Sequence, residues 1–194
     1  MPTTCTAFAG FKRIASGPPE QVALAAKAAL DANEAHPLLV FDDTSGRPVD
    51  FDLRGTSAEI LARLATEQTP DQPAEPARGP GRPKLGVVAR EVTLLPRHWD
   101  WLNGQPGGAS VALRELVDAA RATHAGADRR RLAQQSADRF MSALAGDEPG
   151  YEEAARALYS GDRVRFEKSI VAWPADVRDH ALRLATAAFD DGTA

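Results

Sequence analysis

The most concentrated positive charge near the middle of the chain is Arg78 with the run Gly81-Arg82-Pro83-Lys84. Proline fixes its own backbone and glycine has no side chain, so an arginine between them stands on a thin, extended segment. A cationic finger of this shape fits the narrow minor groove of A·T-rich DNA, where the negative potential is enhanced. We therefore predict DNA contacts at Arg78, Arg82, Pro83 and Lys84. The alternative is a positively charged end of a linker.

The Gly-Arg-Pro core with its basic flanks resembles the AT-hook. The match is partial, because Pro80 stands where a second nearby arginine is usual in that motif. The resemblance implies that the segment acts as an arm in the minor groove.

The residues after this arm follow the order strand, helix, glycine break, helix. Val87–Leu95 predicts a strand, Pro96–Gln105 a helix that proline opens, and Ser110–His124 a second helix capped by Ser110. This order, carried by V-A-R-E-V-T-L-L-P-R-H-W-D-W-L and G-G-A-S-V-A-L-R-E-L-V, resembles the ribbon-helix-helix family. The resemblance implies that two chains pair their strands into a β-ribbon that enters the major groove. The N-terminus of the second helix would then meet a phosphate.

The strand register decides which side chains face the DNA. One register turns Arg90 outward with two apolar side chains, and the other turns Glu91 and Thr93 outward, because a one-residue slip exchanges the faces. We name Arg90 and Thr93 as candidate contacts in the major groove, and Arg97 and Ser110 as candidate phosphate contacts. The alternative is a β-α-α dimerisation module that reads no bases.

No other cluster of residues predicts catalysis or metal binding. His98 beside Asp100 could pair a base with an orienting carboxylate, but no motif places a nucleophile. Asp42-Asp43 could bind a hard cation, although a solvated acidic turn is the simpler interpretation. The single cysteine, Cys5, excludes an internal disulfide and a multi-cysteine metal site. We expect no catalytic residue, no metal and no cofactor.

The residues before the arm predict a small α+β domain over residues 1–65. Its pattern is β-α-β-β-α, with elements at Thr6–Ile14, from Pro18-Pro19-Glu20 onward, at Pro37–Phe41, at the alternating Val49, Phe51 and Leu53, and at Ser57–Leu64. Ser57 is the expected cap of the last helix.

A Pro-rich linker is expected over residues 66–84, because prolines cannot donate hydrogen bonds and no apolar side chain larger than alanine lies there. The ribbon-helix-helix-like unit then occupies residues 85–125. A helical C-terminal extension follows over 126–194, with helices predicted at Ala127–Ala145, Tyr151–Tyr159, Asp162–Ala172 and Ala175–Phe189. These helices have apolar faces that pack on each other or on a partner.

Charge is distributed unevenly along the 194 residues, whose formal net charge is −4. Residues 78–97 hold five Lys or Arg and one acid, whereas residues 1–77 hold six basic and eleven acidic side chains. A globally basic nucleic-acid coat is therefore excluded, and anion binding must come from a local patch.

The whole chain also resembles a bacterial family of unknown function, over nearly its full length. The most recognisable part of this resemblance is the stretch G-R-P-K-L-G-V-V-A-R-E-V-T-L-L-P-R-H-W-D-W-L. That family implies no activity. The residues together predict a cytoplasmic, homodimeric, DNA-binding transcriptional regulator that is not an enzyme. An unknown protein or small-molecule effector would act at the N-terminal domain. The alternative is a non-catalytic homodimeric module that binds a protein or senses a ligand without binding DNA. No membrane partner is expected, since no apolar run approaches the roughly 20 residues that a span needs.

Overall fold

The computed structural model describes residues 2–32, 36–68, 88 and 90–190. In these ranges the protein is α+β, with a three-stranded antiparallel sheet and seven α-helices. Residues 1–70 and 126–194 form one compact unit, and residues 71–125 form a second. Within the described ranges, no helix has both the length and the apolar character to cross a membrane.

The sheet contains β1 (Cys5–Ala9), β2 (Lys12–Gly17) and β3 (Leu38–Asp42) in the order β2-β1-β3. The prediction of one strand over Thr6–Ile14 was wrong, because the chain reverses at Gly10, whose φ of +56° favours glycine. The central strand β1 is buried along its whole length. Its side chains alternate between the two faces, so both faces of the sheet need a cover.

The first face of the sheet is covered by α1 (Pro19–Asp31) and α2 (Ser57–Gln68). Proline opens α1, as predicted. The cap predicted for α2 at Ser57 was wrong by one residue. Thr56 Oγ1 accepts from the Glu59 N–H at 3.3 Å, and Glu59 Oε2 accepts from the Thr56 N–H at 2.7 Å. This reciprocal pair is a capping box, in which a threonine precedes a glutamate by three positions.

The segment between β3 and α2 is extended but does not form the predicted strand. Its contact with β3 is an isolated bridge between Phe41 and Pro48, with the Val49 N–H donating to the Val40 carbonyl at 2.8 Å. The alternation of side chains is nevertheless as predicted, since Phe51 is buried and Asp50 and Asp52 are exposed. The hydrophobic pattern therefore predicted which side chains of this segment are buried. It did not predict correctly that the segment would form a continuous ladder of backbone hydrogen bonds with β3.

The rest of the chain is helical, with α3 (Pro96–Asn103), α4 (Ala109–Ala145), α5 (Tyr151–Ser160), α6 (Arg163–Ser169), α7 (Ala175–Ala185) and a 3₁₀ turn at Thr186–Ala188. The prediction of separate helices at Ser110–His124 and Ala127–Ala145 was wrong, because α4 runs without a break through Gly126. A single helical glycine costs only about 1 kcal/mol, which is too little to end a helix of this length.

The second face of the sheet packs against α4 and α7. Phe8 and Phe41 of the sheet meet Phe140 of α4 with ring centroids 5.4 and 5.0 Å apart. The core continues through buried apolar residues of α5, α6 and α7. The C-terminal helices therefore complete the hydrophobic core of the N-terminal sheet.

Candidate functional site

Four of the eight residues predicted to contact DNA lie in the described part of the chain: Arg90, Thr93, Arg97 and Ser110. The other four lie outside it: Arg78, Arg82, Pro83 and Lys84. The site can therefore be built from the second unit over residues 88 and 90–125.

Residues 88 and 90–95 form no strand in the described part of the chain, although Val87–Leu95 was predicted as one. A strand needs a partner to satisfy its backbone N–H and C=O groups, and this unit supplies none among the described residues. Arg90 and Thr93 are both exposed on this segment. The segment ends at Leu95, whose backbone is extended, and Pro96 opens α3 as predicted.

The helix α4 begins at Ala109, so Ser110 is not its N-cap. The Gly108 carbonyl accepts from the N–H groups of Val111 and Ala112, both at 3.1 Å, which places the start of the helix before Ser110. Ser110 lies exposed in the first turn, and its carbonyl accepts from Arg114 Nε at 3.1 Å. Gly108 has a φ of +76°, a conformation that glycine adopts without strain, so the helix starts there.

The second unit buries little apolar surface of its own. Among its described residues, the buried ones are Leu102 and Ala112. Large apolar side chains are exposed instead: Val92 and Trp101 at 54% and Leu116 at 49%, with Val88, Leu95 and Val117 also exposed. Exposed apolar side chains at this density are unusual on the surface of a monomeric unit, so this surface is a candidate binding surface.

A pocket of about 280 Å³ lies in this unit, between the end of the extended segment and helices α3 and α4. Its lining is mainly apolar and consists of Leu94, Arg97, His98, Trp101, Leu102, Leu113 and Leu116. Two of the exposed apolar side chains, Trp101 and Leu116, line the pocket. We call this the α3–α4 apolar surface: Val92, Leu95, Trp101, Leu116 and Val117 with the pocket.

Two of the four arginines in residues 90–125, Arg90 and Arg97, are available to an external anion. Arg90 and Arg97 are both exposed, and neither has an ion-pair partner within the described residues. An arginine without a carboxylate partner has its N–H donors available to a phosphate or a base edge.

A second candidate site is a partly buried polar cluster in the first unit, formed by Thr6, Ser16, Asp43, His180 and Arg183. The Thr6 hydroxyl donates to Asp43 Oδ1 at 2.7 Å, and the Ser16 hydroxyl lies 2.9 Å from the Thr6 hydroxyl. Arg183 Nη2 donates to Asp43 Oδ1 at 2.9 Å and to Thr6 Oγ1 at 3.0 Å. The cluster therefore joins β1, β2, the turn after β3 and α7.

His180 is fully buried, with Phe8 and Phe140 against its ring at centroid distances of 5.3 and 4.4 Å. Its Nδ1 lies 2.8 Å from Arg183 Nη2, and because a guanidinium only donates, Nδ1 must be the acceptor. Burial, and then the positive charge of Arg183, lower the pKa of His180 from 6.5 to about 4. The imidazole is therefore neutral at physiological pH.

This cluster fastens elements of the first unit together, and its buried groups are closed to an external molecule. Thr6 is fully buried, so its hydroxyl cannot reach an external molecule. Burial, and then the charges of Asp43, Asp42 and Glu20, raise the pKa of the neighbouring Cys5 to about 12, which leaves a protonated and unreactive thiol. No group of three or more His, Cys, Asp or Glu side chains in the described residues is placed to hold a metal ion.

The sequence did not indicate this cluster. Asp43 was interpreted as part of a solvated acidic turn, but its side chain is only 8% exposed because Thr6 and Arg183 cover it. The spacing of His180 and Arg183 on one face of a helix was a usable signal. Their pairing with Asp43, about 140 positions away, was not, because only the fold brings these residues together.

Comparison with known proteins assigns the chain to a family but gives it no activity. A family model described as an uncharacterised protein conserved in bacteria, DUF2239, matches residues 4–185. No curated protein and no solved structure matches the chain.

Proposed function

Because the chain belongs to the DUF2239 family of uncharacterised bacterial proteins, we propose its function from its own residues. We propose that it is a dimeric DNA-binding protein, acting in transcriptional regulation, in which the second unit is ribbon-helix-helix-like. Two copies pair their segments 90–95 into a β-ribbon that enters the major groove, and the basic arm of each copy enters the minor groove.

The observation that carries the proposal is the α3–α4 apolar surface. A unit with two buried side chains in its described part cannot be stable while it exposes Val92, Trp101 and Leu116 to water. A second copy would cover this surface and would supply the antiparallel partner that residues 90–95 lack. The proposed dimer and the proposed ribbon therefore form together, because the same contact would cover the apolar side chains and supply the backbone hydrogen bonds.

The proposed DNA contacts follow from this ribbon. Arg90 and Thr93 lie on the segment that would enter the major groove, and Arg97 lies on the first turn of α3, where it would meet a phosphate. Ser110 would contact a second phosphate through its hydroxyl and the first turn of α4, without being its cap. Arg78, Arg82, Pro83 and Lys84 would form the minor-groove arm.

The charge distribution supports contact through this region alone. Residues 78–97 carry a net positive charge within an otherwise acidic chain. The acidic remainder would repel phosphates, which keeps non-specific affinity low and directs DNA to the basic segment. With roughly four to six phosphate contacts for each dimer, affinity should fall steeply with salt.

The test is a fluorescence-anisotropy titration of full-length protein against A·T-rich and random duplexes at 50 and 200 mM salt. We expect salt-sensitive binding that Arg82→Ala/Lys84→Ala weakens most on the A·T-rich duplex and Arg90→Ala/Arg97→Ala weakens on both. Arg121→Ala is the matched control, because this exposed arginine of the same unit is assigned no DNA contact. Binding by wild type that none of these variants changes would contradict the proposed contacts.

The dimer is tested separately by sedimentation of Leu116→Asp and Val117→Asp, which place a charge on the α3–α4 apolar surface. We expect wild type to sediment as a dimer and both variants as monomers that lose DNA binding. A dimeric wild type that binds no duplex would favour the second candidate function, a homodimeric protein-binding or ligand-sensing module. The apolar pocket supports that candidate, since it could accept a small apolar ligand.

A further inference from the structure

We propose that the pocket between α3 and α4 binds a small carboxylate with an apolar chain, and that this ligand opposes dimerisation and DNA binding. The chain of the ligand would occupy the pocket, and its carboxylate would pair with Arg97. The binding site follows from the pocket alone, whereas its effect on dimerisation and DNA binding rests on the proposed function.

The walls of the pocket select an apolar group. The buried Leu102 and the half-buried Leu94 and Leu113 line it. Trp101 and Leu116 line it as well, and because their exposed fractions are 54% and 49%, the pocket is open to a molecule from solvent. A water molecule between such walls lacks the two to four polar partners that hold an ordered water, so an apolar chain displaces water from the pocket favourably.

The volume of the pocket limits the ligand to a small one. At about 280 Å³ it lies at the lower end of the range of ligand sites, roughly 300–1,000 Å³. Since a liquid water occupies about 30 Å³, roughly ten non-hydrogen atoms fit. Octanoate, with a chain of eight carbons, is a ligand of this size.

The charge at the pocket favours an anionic head group. Arg97 lines the pocket, and no aspartate or glutamate of the described residues does. Arg97 is also exposed and has no ion-pair partner in the described part of the chain. The N–H donors of a guanidinium match the two oxygens of a carboxylate, whereas an ammonium head would meet a like charge. Apolar walls beside an unpaired arginine are therefore complementary to an amphipathic carboxylate.

The ligand and a second copy of the chain would compete for the same groups. Trp101 and Leu116 line the pocket and also belong to the α3–α4 apolar surface, which the second copy covers in the proposed dimer. Arg97 is the proposed phosphate contact, and it cannot give the same N–H donors to a phosphate and to a carboxylate. A ligand that binds the monomer better than the dimer shifts the equilibrium toward monomers, which would bind DNA weakly.

Binding is tested by NMR titration of the full-length, isotope-labelled protein with octanoate, 1-octanol and octylammonium, which share one chain and differ in the head group. The readout is the indole N–H signal of Trp101, assigned by its loss in Trp101→Phe. The signal of Trp173, which is buried in the first unit, is the internal control. We expect octanoate to bind roughly fivefold more tightly than 1-octanol, as one exposed ion pair allows. Octylammonium should bind most weakly.

Two variants separate the head of the site from its walls. Arg97→Gln removes the charge, so octanoate should bind this variant no more tightly than 1-octanol does. Leu113→Phe fills part of the pocket, so all three molecules should bind it more weakly. Arg121→Gln is the matched control and should behave as wild type, because this exposed arginine does not line the pocket. Equal binding of the three molecules by wild type, or a preference for octanoate that Arg97→Gln retains, would overturn the site.

The effect on assembly is tested by sedimentation and DNA titration of wild type with saturating octanoate, against sodium acetate at the same concentration as the control for ionic strength. We expect octanoate to convert dimers to monomers and to weaken DNA binding at least tenfold. Octanoate that binds at Trp101 without changing the dimer would overturn the regulation. A wild type that is monomeric without ligand would overturn the proposed dimer and its regulation together, whereas the NMR titration decides the binding site by itself.

Discussion

Gly46 lies in the turn after β3, at the point where this turn meets α4. Its φ is +66°, and a Cβ built on it would lie 2.0 Å from the Ser136 carbonyl oxygen and 2.9 Å from the Ser136 Cα. Ser136 is buried in the middle of α4, so these backbone atoms cannot move aside as a side chain would. Gly46→Ala must therefore separate the turn from the helix.

Two costs add in this variant. An L-residue in the left-handed region costs about 1–2 kcal/mol, and forcing a methyl group into a packed contact costs about 1–3 kcal/mol. We expect Gly46→Ala to lower the free energy of unfolding by about 3 kcal/mol or more. Gly161→Ala is the matched control, because Gly161 has a similar φ of +74° and a Cβ there meets nothing within 4 Å. Its expected loss is the backbone cost alone, about 1–2 kcal/mol.

Urea unfolding followed by the fluorescence of Trp173 measures both variants. Trp173 is buried in the first unit, where its indole N–H donates to the Pro149 carbonyl at 3.0 Å. The other two tryptophans, Trp99 and Trp101, belong to the second unit, so a Trp99→Phe/Trp101→Phe background leaves a single reporter. Equal losses in the two alanine variants would refute the contact between the turn and α4.

Three further changes test the fold. Thr56→Ala should remove the capping box of α2 and cost about 1 kcal/mol, whereas Thr66→Ala, inside the same helix, should cost less, by urea unfolding. Phe140→Ala should cost about 3–5 kcal/mol because it empties the junction of sheet and helices. The free energy of unfolding should fall by about 2 kcal/mol from pH 7 to pH 5, because the unfolded chain binds a proton at His180 that the folded chain excludes. A flat profile over this pH range, or a Phe140→Ala variant as stable as wild type, would contradict the packing around His180.

The proposed dimer interface lies in the second unit, where the sequence predicted some elements of secondary structure correctly and others not. The sequence indicated a strand before Pro96 and helices after it. The first helix is present as α3, and the second is the first part of the longer helix α4. The strand is absent from the described residues of one chain, because a strand forms only when a partner supplies its hydrogen bonds. On α4, Leu116 and Val117 are exposed to water at 49% and 54%, although both side chains are apolar.

Local sequence patterns did not predict the polar cluster or the β1–β2 hairpin. Thr6–Ile14 was predicted as one strand because a turn at Gly10-Phe11 carries no strong local signal. Asp43 was predicted to face water because clustered carboxylates usually do. Its burial depends on Arg183, and nothing local to Asp43 encodes that contact.

What the sequence by itself determined is local. Proline at the start of α1 and α3, the threonine and glutamate spacing at α2, and the alternation around Phe51 each depend on residues a few positions apart. Tertiary structure decided which faces are covered and which charges are buried. It placed the C-terminal helices on the second face of the sheet, and it enclosed His180 beside Arg183 and Asp43. The physical reason is that capping and alternation are short-range effects, whereas desolvation depends on every element that packs around a group.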